Sequence, residues 1–367
     1  MNKIIWCIFL AISTFFCQAQ NDLLEEKNEL EVDYFYGNIV EHNTDIGHLI
    51  TGHPEGFLIT YNRKTYGKEE WERHYNFPDY GASFMYQDMK NTYLGKHIGA
   101  YIHYNFYFLN RHLMFRVAQG ISYNPNPYDA ITNYENIAYG THILTSTYLL
   151  LNYKKENLLQ GLGIHGGISV THYSNGNFKA PNKSTNTFAV NVGVNYLFEA
   201  EEKKVYAEEK EVLSYSEPLH LNFIFRGGLQ TSDVIGMKQF PFYVLGTYLD
   251  KRVSFKSSVQ LGSEVFLSPM LREYIDYRSI AYPEDDITGE EASTRIGVFA
   301  GYQLHLGKTS IVGNLGYYAY YPYNFEGRVY LRASLQREVF NSFFVNASVK
   351  SHAAKAEAIE FGIGYRL

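Results

Sequence analysis

Residues 219–229 read Leu219-His220-Leu221-Asn222-Phe223-Ile224-Phe225-Arg226-Gly227-Gly228-Leu229. The odd positions hold Leu219, Leu221, Phe223, Phe225, Gly227 and Leu229, and the even ones include His220, Asn222 and Arg226. Successive side chains of a β-strand point to opposite faces, so a period of two reads as a strand with one apolar and one polar face. The alternation recurs downstream. Over 294–306 one face is Ile296, Val298, Ala300, Tyr302, Leu304 and Leu306, and the other is Arg295, Gly297, Gly301, Gln303 and His305. The chain ends with Ile359, Phe361, Ile363, Tyr365 and Leu367 alternating with Glu360, Gly362, Gly364 and Arg366. Such a terminal strand suits closure of a barrel.

Applied to the whole chain, the pattern gives about sixteen candidate strands. They lie near 32–41, 55–64, 79–88, 96–109, 112–123, 142–155, 161–174, 186–199, 218–230, 239–250, 253–266, 293–306, 309–320, 327–339, 342–351 and 355–367. The predicted fold is all-β, an antiparallel transmembrane β-barrel of about 12–16 strands. It is read as a single barrel over 20–367 with no second domain. Short turns at 110–111, 156–160, 251–252, 307–308 and 340–341 fall on one end, and longer loops at 124–141, 175–185 and 267–292 on the other. Outer-membrane barrels divide their connections in this way. A Glu/Lys-rich segment at 199–217 falls on the short-turn end and reads as a solvated charge run.

Composition agrees. The 367 residues include 34 Tyr and 25 Phe, while mean hydropathy is only −0.27. No stretch after residue 20 approaches the roughly 18 apolar residues that a spanning helix needs. A net charge of −6 gives no reason to expect a nucleic-acid partner. At the N-terminus, Lys3, the apolar run Ile4 to Phe16 and the small-x-small triplet Cys17-Gln18-Ala19 read as a signal peptide over 1–19. Phe16 stands where a lipoprotein signal would carry a small residue. Export to the bacterial outer membrane is the expected location. Cys7 and Cys17 leave with the signal, so thiol chemistry is not expected.

One strand carries chemistry. In 161–174 the even positions are Leu162, Ile164, Gly166, Ile168, Val170, His172 and Ser174. This apolar face is the one that should contact lipid. The next strand puts Asn186 on the same surface with Phe188, Val190, Val192 and Val194. If 175–185 is a hairpin loop, Asn186 lies beside His172 and Ser174. A serine needs an adjacent base to attack, and the base needs an acceptor on its other nitrogen. These are the parts of an acyl-ester hydrolase, although polar residues near a strand end can also be only interfacial. His165 faces the lumen and reads as a wall residue. Gly307-Lys308-Thr309 lacks the upstream glycine of a phosphate loop. The histidines show no ligand spacing, so no metal is expected.

The run His172-Tyr173-Ser174-Asn175-Gly176, then Pro181-Asn182, then Asn186, resembles the signature of the lipid A 3-O-deacylase family, the PagL-like acyloxyacyl hydrolases. Trp71, His74-Tyr75, Phe77-Pro78, Tyr80-Gly81, Tyr86, Asn91, Leu94-Gly95, Asn133, Asn136 and Gly140 resemble its larger members. The likeness covers about 45–199, and the strands beyond look like an extension of the minimal eight-stranded enzyme. It implies Ser174 as nucleophile, His172 as general base and Asn186 as the third catalytic residue. Asn175, Gly176 and Asn182 would form the oxyanion hole or shape the loop. The implied substrate is lipid A or lipopolysaccharide of the outer leaflet, without a cofactor. The family carries Glu where Asn186 stands. Outer-membrane phospholipase A, which uses a His-x-Ser-Asn-Gly stretch with Asn as third member, is a second resemblance. That enzyme uses calcium, and no acidic cluster in this sequence commits to calcium. The readings left open are a lipid A esterase, a calcium-assisted phospholipase, and a non-catalytic channel or scaffold barrel.

Overall fold

The computed structural model describes residues 26–200, 205–207, 215, 217–353 and 355–367. The expected signal peptide, with Cys7 and Cys17, and most of the 199–217 charge run lie outside the described residues. Within them are sixteen strands: β1 (Lys27–Val40), β2 (Glu55–Lys64), β3 (Asp79–Asp88), β4 (Lys96–Phe108), β5 (Leu113–Tyr123), β6 (Ile143–Leu159), β7 (Leu162–Ser174), β8 (Thr185–Leu197), β9 (Leu219–Gln230), β10 (Phe240–Arg252), β11 (Ser257–Leu267), β12 (Arg295–Leu306), β13 (Thr309–Tyr320), β14 (Val329–Phe340), β15 (Phe343–His352) and β16 (Lys355–Arg366). Each overlaps one candidate read from the alternation.

The expectation of a single barrel over 20–367 is corrected. The strands close as two antiparallel barrels of eight, β1 to β8 and β9 to β16. β8 pairs back onto β1 from Val40↔Asn186 to Glu29↔Leu197, and β16 pairs back onto β9. Alternation fixes the face of each strand but not which ends of the chain meet. Eight strands suffice because a barrel of that size is just wide enough for side chains to fill it. The charge run at 199–217 therefore connects two barrels rather than two neighbouring strands of one.

Both barrels are inside-out. Along β1, Glu29, Glu31 and Asp33 are buried in the lumen while Leu30, Val32, Tyr34 and Tyr36 are exposed outside. An apolar exterior of this extent suits hydrocarbon rather than water. The lumens are filled by ion pairs. In the first, Lys154 Nζ donates to Glu31 Oε1 (2.6 Å) and Arg116 Nη2 to Glu31 Oε2 (2.5 Å). In the second, Arg332 pairs with Glu264 (2.7 Å) and Glu360 (2.6 Å), and Arg295 with Glu357 (2.6 Å). A cavity in the second lumen, lined by Arg295, Lys350, Glu357 and Glu360, measures about 10 Å³, room for roughly one water.

The long connections, including 41–54, 124–142, 175–184 and 268–294, gather at one end of the barrels, here called the loop end. The 268–294 connection, expected as a loop, holds a helix, Pro269–Ala281, capped by Ser268 Oγ accepting from Leu271 N. The barrels touch at both ends. At the turn end a short helix, Glu70–His74, sets the His74 ring 4.7 Å from Phe255. Beside it the Tyr75 hydroxyl donates to Lys256 O (3.4 Å), and Trp71 lies against Gly307. Trp71, His74 and Tyr75, part of the upstream likeness, are thus contacts to the second barrel.

Candidate active site

The structure brings His172 and Asn186 together. They face each other across the β7–β8 ladder, on the exterior face that carries Ile168, Val170, Phe188 and Val190. His172 Nδ1 lies 2.7 Å from Asn186 Oδ1. With the amide oxygen accepting, the ring proton sits on Nδ1 and Nε2 keeps a free lone pair.

Ser174 ends β7, two residues beyond His172, but is only 4% exposed. Its Oγ accepts from Gly176 N (2.9 Å) and Asn182 Nδ2 (3.0 Å), and can donate to Asn182 Oδ1 (3.2 Å). Among the described residues no hydrogen bond joins His172 to Ser174. The His172–Asn186 pair is assembled, and the Ser174 hydroxyl is held by the loop rather than by the imidazole.

The predicted loop residues divide by role. Asn182 Oδ1 also accepts from Asn175 N (2.8 Å). The Asn175 side chain ties the loop across itself by donating to Lys179 O (2.7 Å). Gly176 has φ +59°, in the left-handed region that glycine adopts freely, and its amide reaches Ser174 Oγ from there. The asparagines of the upstream likeness shape neighbouring loops. Asn91 Oδ1 accepts from Tyr93 N (2.8 Å) and Leu94 N (3.0 Å). Asn133 Nδ2 and Asn136 Nδ2 each donate to Tyr93 O (3.1 Å).

Three neighbours escaped the sequence reading. Gln119 on β5 stands opposite Thr147 on β6, and Thr147 stands opposite His172. The row Gln119–Thr147–His172–Asn186 therefore crosses four strands as a polar notch in an apolar wall. Thr147 Oγ1 donates to Gln119 Oε1 (2.5 Å). The usable signal was a polar residue at an exterior position, Gln119 between Val117 and Ile121. His42 Nε2, 3.2 Å from Ser184 Oγ, arrives through the β1–β8 closure, which local sequence does not reveal.

Residue types alone are a poor guide. Inside the first lumen Ser83 Oγ lies 3.3 Å from His103 Nδ1, and His103 Nε2 lies 2.8 Å from Asn62 Oδ1. This second Ser-His-Asn chain is buried beside Arg116, where no lipid can reach. His165 is a lumen residue as expected, 2.7 Å from Asp33 Oδ1. Glu31, Asp33 and His165 are close enough to hold a metal ion, but the ammonium of Lys154 and the guanidinium of Arg116 already sit against Glu31.

Comparison with known proteins bears on both barrels. The family described as Lipid A 3-O-deacylase (PagL) matches residues 55–195. The family described as Acyloxyacyl hydrolase, C-terminal domain, matches residues 219–367. No curated protein matches the chain. Two solved mutants of the Rhodopseudomonas blastica porin align over 94% of this chain and 100% of their own, at 9% and 10% identity and a TM-score of 0.19 each. At that score the likeness adds nothing to the topology described above. Matched barrel by barrel across most of its length, the chain belongs to the lipid A 3-O-deacylase (PagL) family of acyloxyacyl hydrolases.

Proposed function

We propose that this protein is a serine esterase of the outer membrane that removes one ester-linked acyl chain from lipid A at the exterior of its first barrel. The single observation behind this is the 2.7 Å His172–Asn186 bond on the outside wall, one strand step from Ser174. A base oriented there meets an acyl ester arriving sideways from the surrounding leaflet, with the loop end facing the cell surface.

The chemistry follows from the parts. Ser174 Oγ turns from Asn182 Oδ1 to His172 Nε2 and gives up its proton as it attacks the ester carbonyl carbon. The carbonyl electrons move onto oxygen, where Gly176 N–H and Asn182 Nδ2–H are the nearest donors for the oxyanion. Collapse breaks the bond to the sugar oxygen, which takes the proton from His172. Water then repeats the sequence on the acyl-enzyme, releasing a fatty acid and restoring Ser174. The notch formed by Gln119 and Thr147 lies on the approach and offers hydrogen bonds to the ester's polar end.

The test is purified protein given lipid A or phospholipid, with and without a chelator. Fatty acid released from lipid A, unaffected by chelator, supports the proposal. Chelator-sensitive release from phospholipid alone would replace it with the phospholipase reading, and conductance without hydrolysis would replace it with the channel.

Two variants probe the site. Asn186→Glu is expected to raise kcat roughly tenfold, because a charge-assisted bond exceeds a neutral one by about 1–2 kcal/mol. An unchanged or lower rate in steady-state assays would mean that the amide is already the right partner. Gln119→Leu should raise KM about fivefold or more, as loss of one hydrogen bond costs about 1 kcal/mol, with kcat kept. An unaltered KM would remove Gln119 from the substrate's path.

A further inference from the structure

The loop that holds Ser174 is anchored on the other barrel. Asn177, three residues past the serine, takes φ +59° and uses both ends of its amide. Its Nδ2 donates to Ala356 O of β16 (2.9 Å). Its Oδ1 accepts from Asn182 Nδ2 (3.4 Å), the group that also donates to Ser174 Oγ. The Asn177 carbonyl accepts from Thr231 N at the end of β9 (2.9 Å). The next carbonyl, Phe178 O, accepts from Gln239 Nε2 (2.6 Å). Gly176 lies so close to Ile359 that a Cβ on residue 176 would collide with the Ile359 side chain. Four contacts, two from β16 and two from the β9–β10 connection, therefore converge on 176–178, and one of them continues by hydrogen bonds to Ser174 Oγ.

We propose that the second barrel is a positioning element of the active site: through Asn177 and Ile359 it fixes the 175–182 loop so that Gly176 N–H and Asn182 Nδ2–H stay aimed at Ser174. The role rests on the deacylase reading given above. It supplies a reason for the second barrel that neither a pore nor a substrate site of its own would require. In a lone barrel the consecutive left-handed residues Gly176 and Asn177 would have nothing outside to hold them. Asn177 and Ile359 are positioning residues, since neither touches the reacting atoms.

The test uses the full chain. Asn177→Gly keeps the left-handed backbone and removes the bridge. Asn177→Asp keeps an acceptor for Asn182 and loses the donor to Ala356 O. Ile359→Ala removes the contact to Gly176 from a residue outside the first barrel. Each should lower kcat toward lipid A about ten- to a hundredfold, the scale of a small misplacement of catalytic groups, with KM held within about twofold. Hydrogen exchange at the Asn175 and Gly176 amides should quicken by about tenfold or more as the loop loosens. Tyr75→Phe, which cuts the contact at the turn end of the seam, should change neither readout. An active wild type with all three loop variants at full kcat and protected amides would overturn the positioning role and leave the deacylase standing. A wild type that hydrolyses nothing, with Ile359→Ala still freeing the two amides, would sink the deacylase and leave the tie between barrel and loop intact.

Discussion

Ser174→Ala is expected to lower lipid A deacylation by about 10⁴-fold or more, the scale seen when a serine hydrolase loses its nucleophile. The other hydroxyls beside the site are engaged elsewhere: Thr145 donates to Ser174 O, Thr147 donates to Gln119 Oε1, and Ser184 lies against His42. Among the described residues none of the three is hydrogen-bonded to the His172 imidazole. The substitution leaves two donors, Gly176 N and Asn182 Nδ2, without their shared acceptor, at a cost of roughly 1–3 kcal/mol for each that stays dry. That loss falls on a loop and leaves both barrel ladders untouched, so the variant should assemble. Lumen Ser83→Ala is the matched control. It removes the look-alike hydroxyl beside His103 and should keep activity within about twofold, since that group never meets lipid. Mass spectrometry of lipid A from cells expressing each variant reads both effects. A Ser174→Ala protein that still strips the acyl chain at a tenth of the wild-type rate or better would end the serine mechanism.

What the sequence disclosed and what it hid follow from the range of the interactions concerned. The faces of β7 and β8 are local properties, since each residue's side is set by its parity along one strand. His172 and Asn186 could therefore be placed on one exterior surface from alternation and an assumed hairpin, and their register is direct. The likeness H-x-S-N with a following P-N located Asn182, but not its contacts. Ser174 lies under the loop because Asn182 folds back across it, and a strand pattern stops where the strand does. Closure of the first barrel joins Val40 to Asn186 and brings His42 to the site over a span that no periodicity reports. The seam was hidden for the same reason. Asn177 and Ala356 are 179 residues apart. Nothing in Asn175-Gly176-Asn177 distinguishes a free turn from one seated on a second barrel. Counting sixteen amphipathic strands was thus within reach, and dividing them eight and eight was not.

The largest stability effect is expected inside the second barrel, at Arg332→Met. Arg332 is fully buried and forks onto two carboxylates. Nη1 donates to Glu264 Oε1 (2.8 Å) and Oε2 (2.7 Å), Nε to Glu360 Oε2 (2.6 Å), and Nη2 to Glu360 Oε1 (3.2 Å). Removing one partner of such a cluster leaves uncompensated buried charge, which costs about 3–5 kcal/mol. Glu264 keeps Arg226 Nη1 (2.5 Å) and the Tyr330 hydroxyl (3.1 Å). Among the described residues Glu360 keeps the hydrogen bond from Ser348 Oγ (2.8 Å) and a distant Arg226 Nε (3.9 Å). The strain should therefore fall mainly on Glu360, and adding Glu360→Gln to the methionine variant should return about half of the loss by removing its charge. The exposed Arg272–Asp276 pair (2.7 Å) sets the contrast, because breaking a surface pair costs about 0–1 kcal/mol. Urea unfolding of the protein refolded into lipid bilayers measures all three. A loss below about 1 kcal/mol for Arg332→Met would mean that water enters the lumen and screens the cluster. The second barrel would then be a wetter structure than its buried ion pairs indicate. β16 ties the two effects together, since it carries Glu360 in the lumen and Ile359, one residue earlier, against Gly176 on the seam. Destabilising the network in Arg332→Met should therefore slow hydrolysis at a serine on the other barrel before it unfolds the chain.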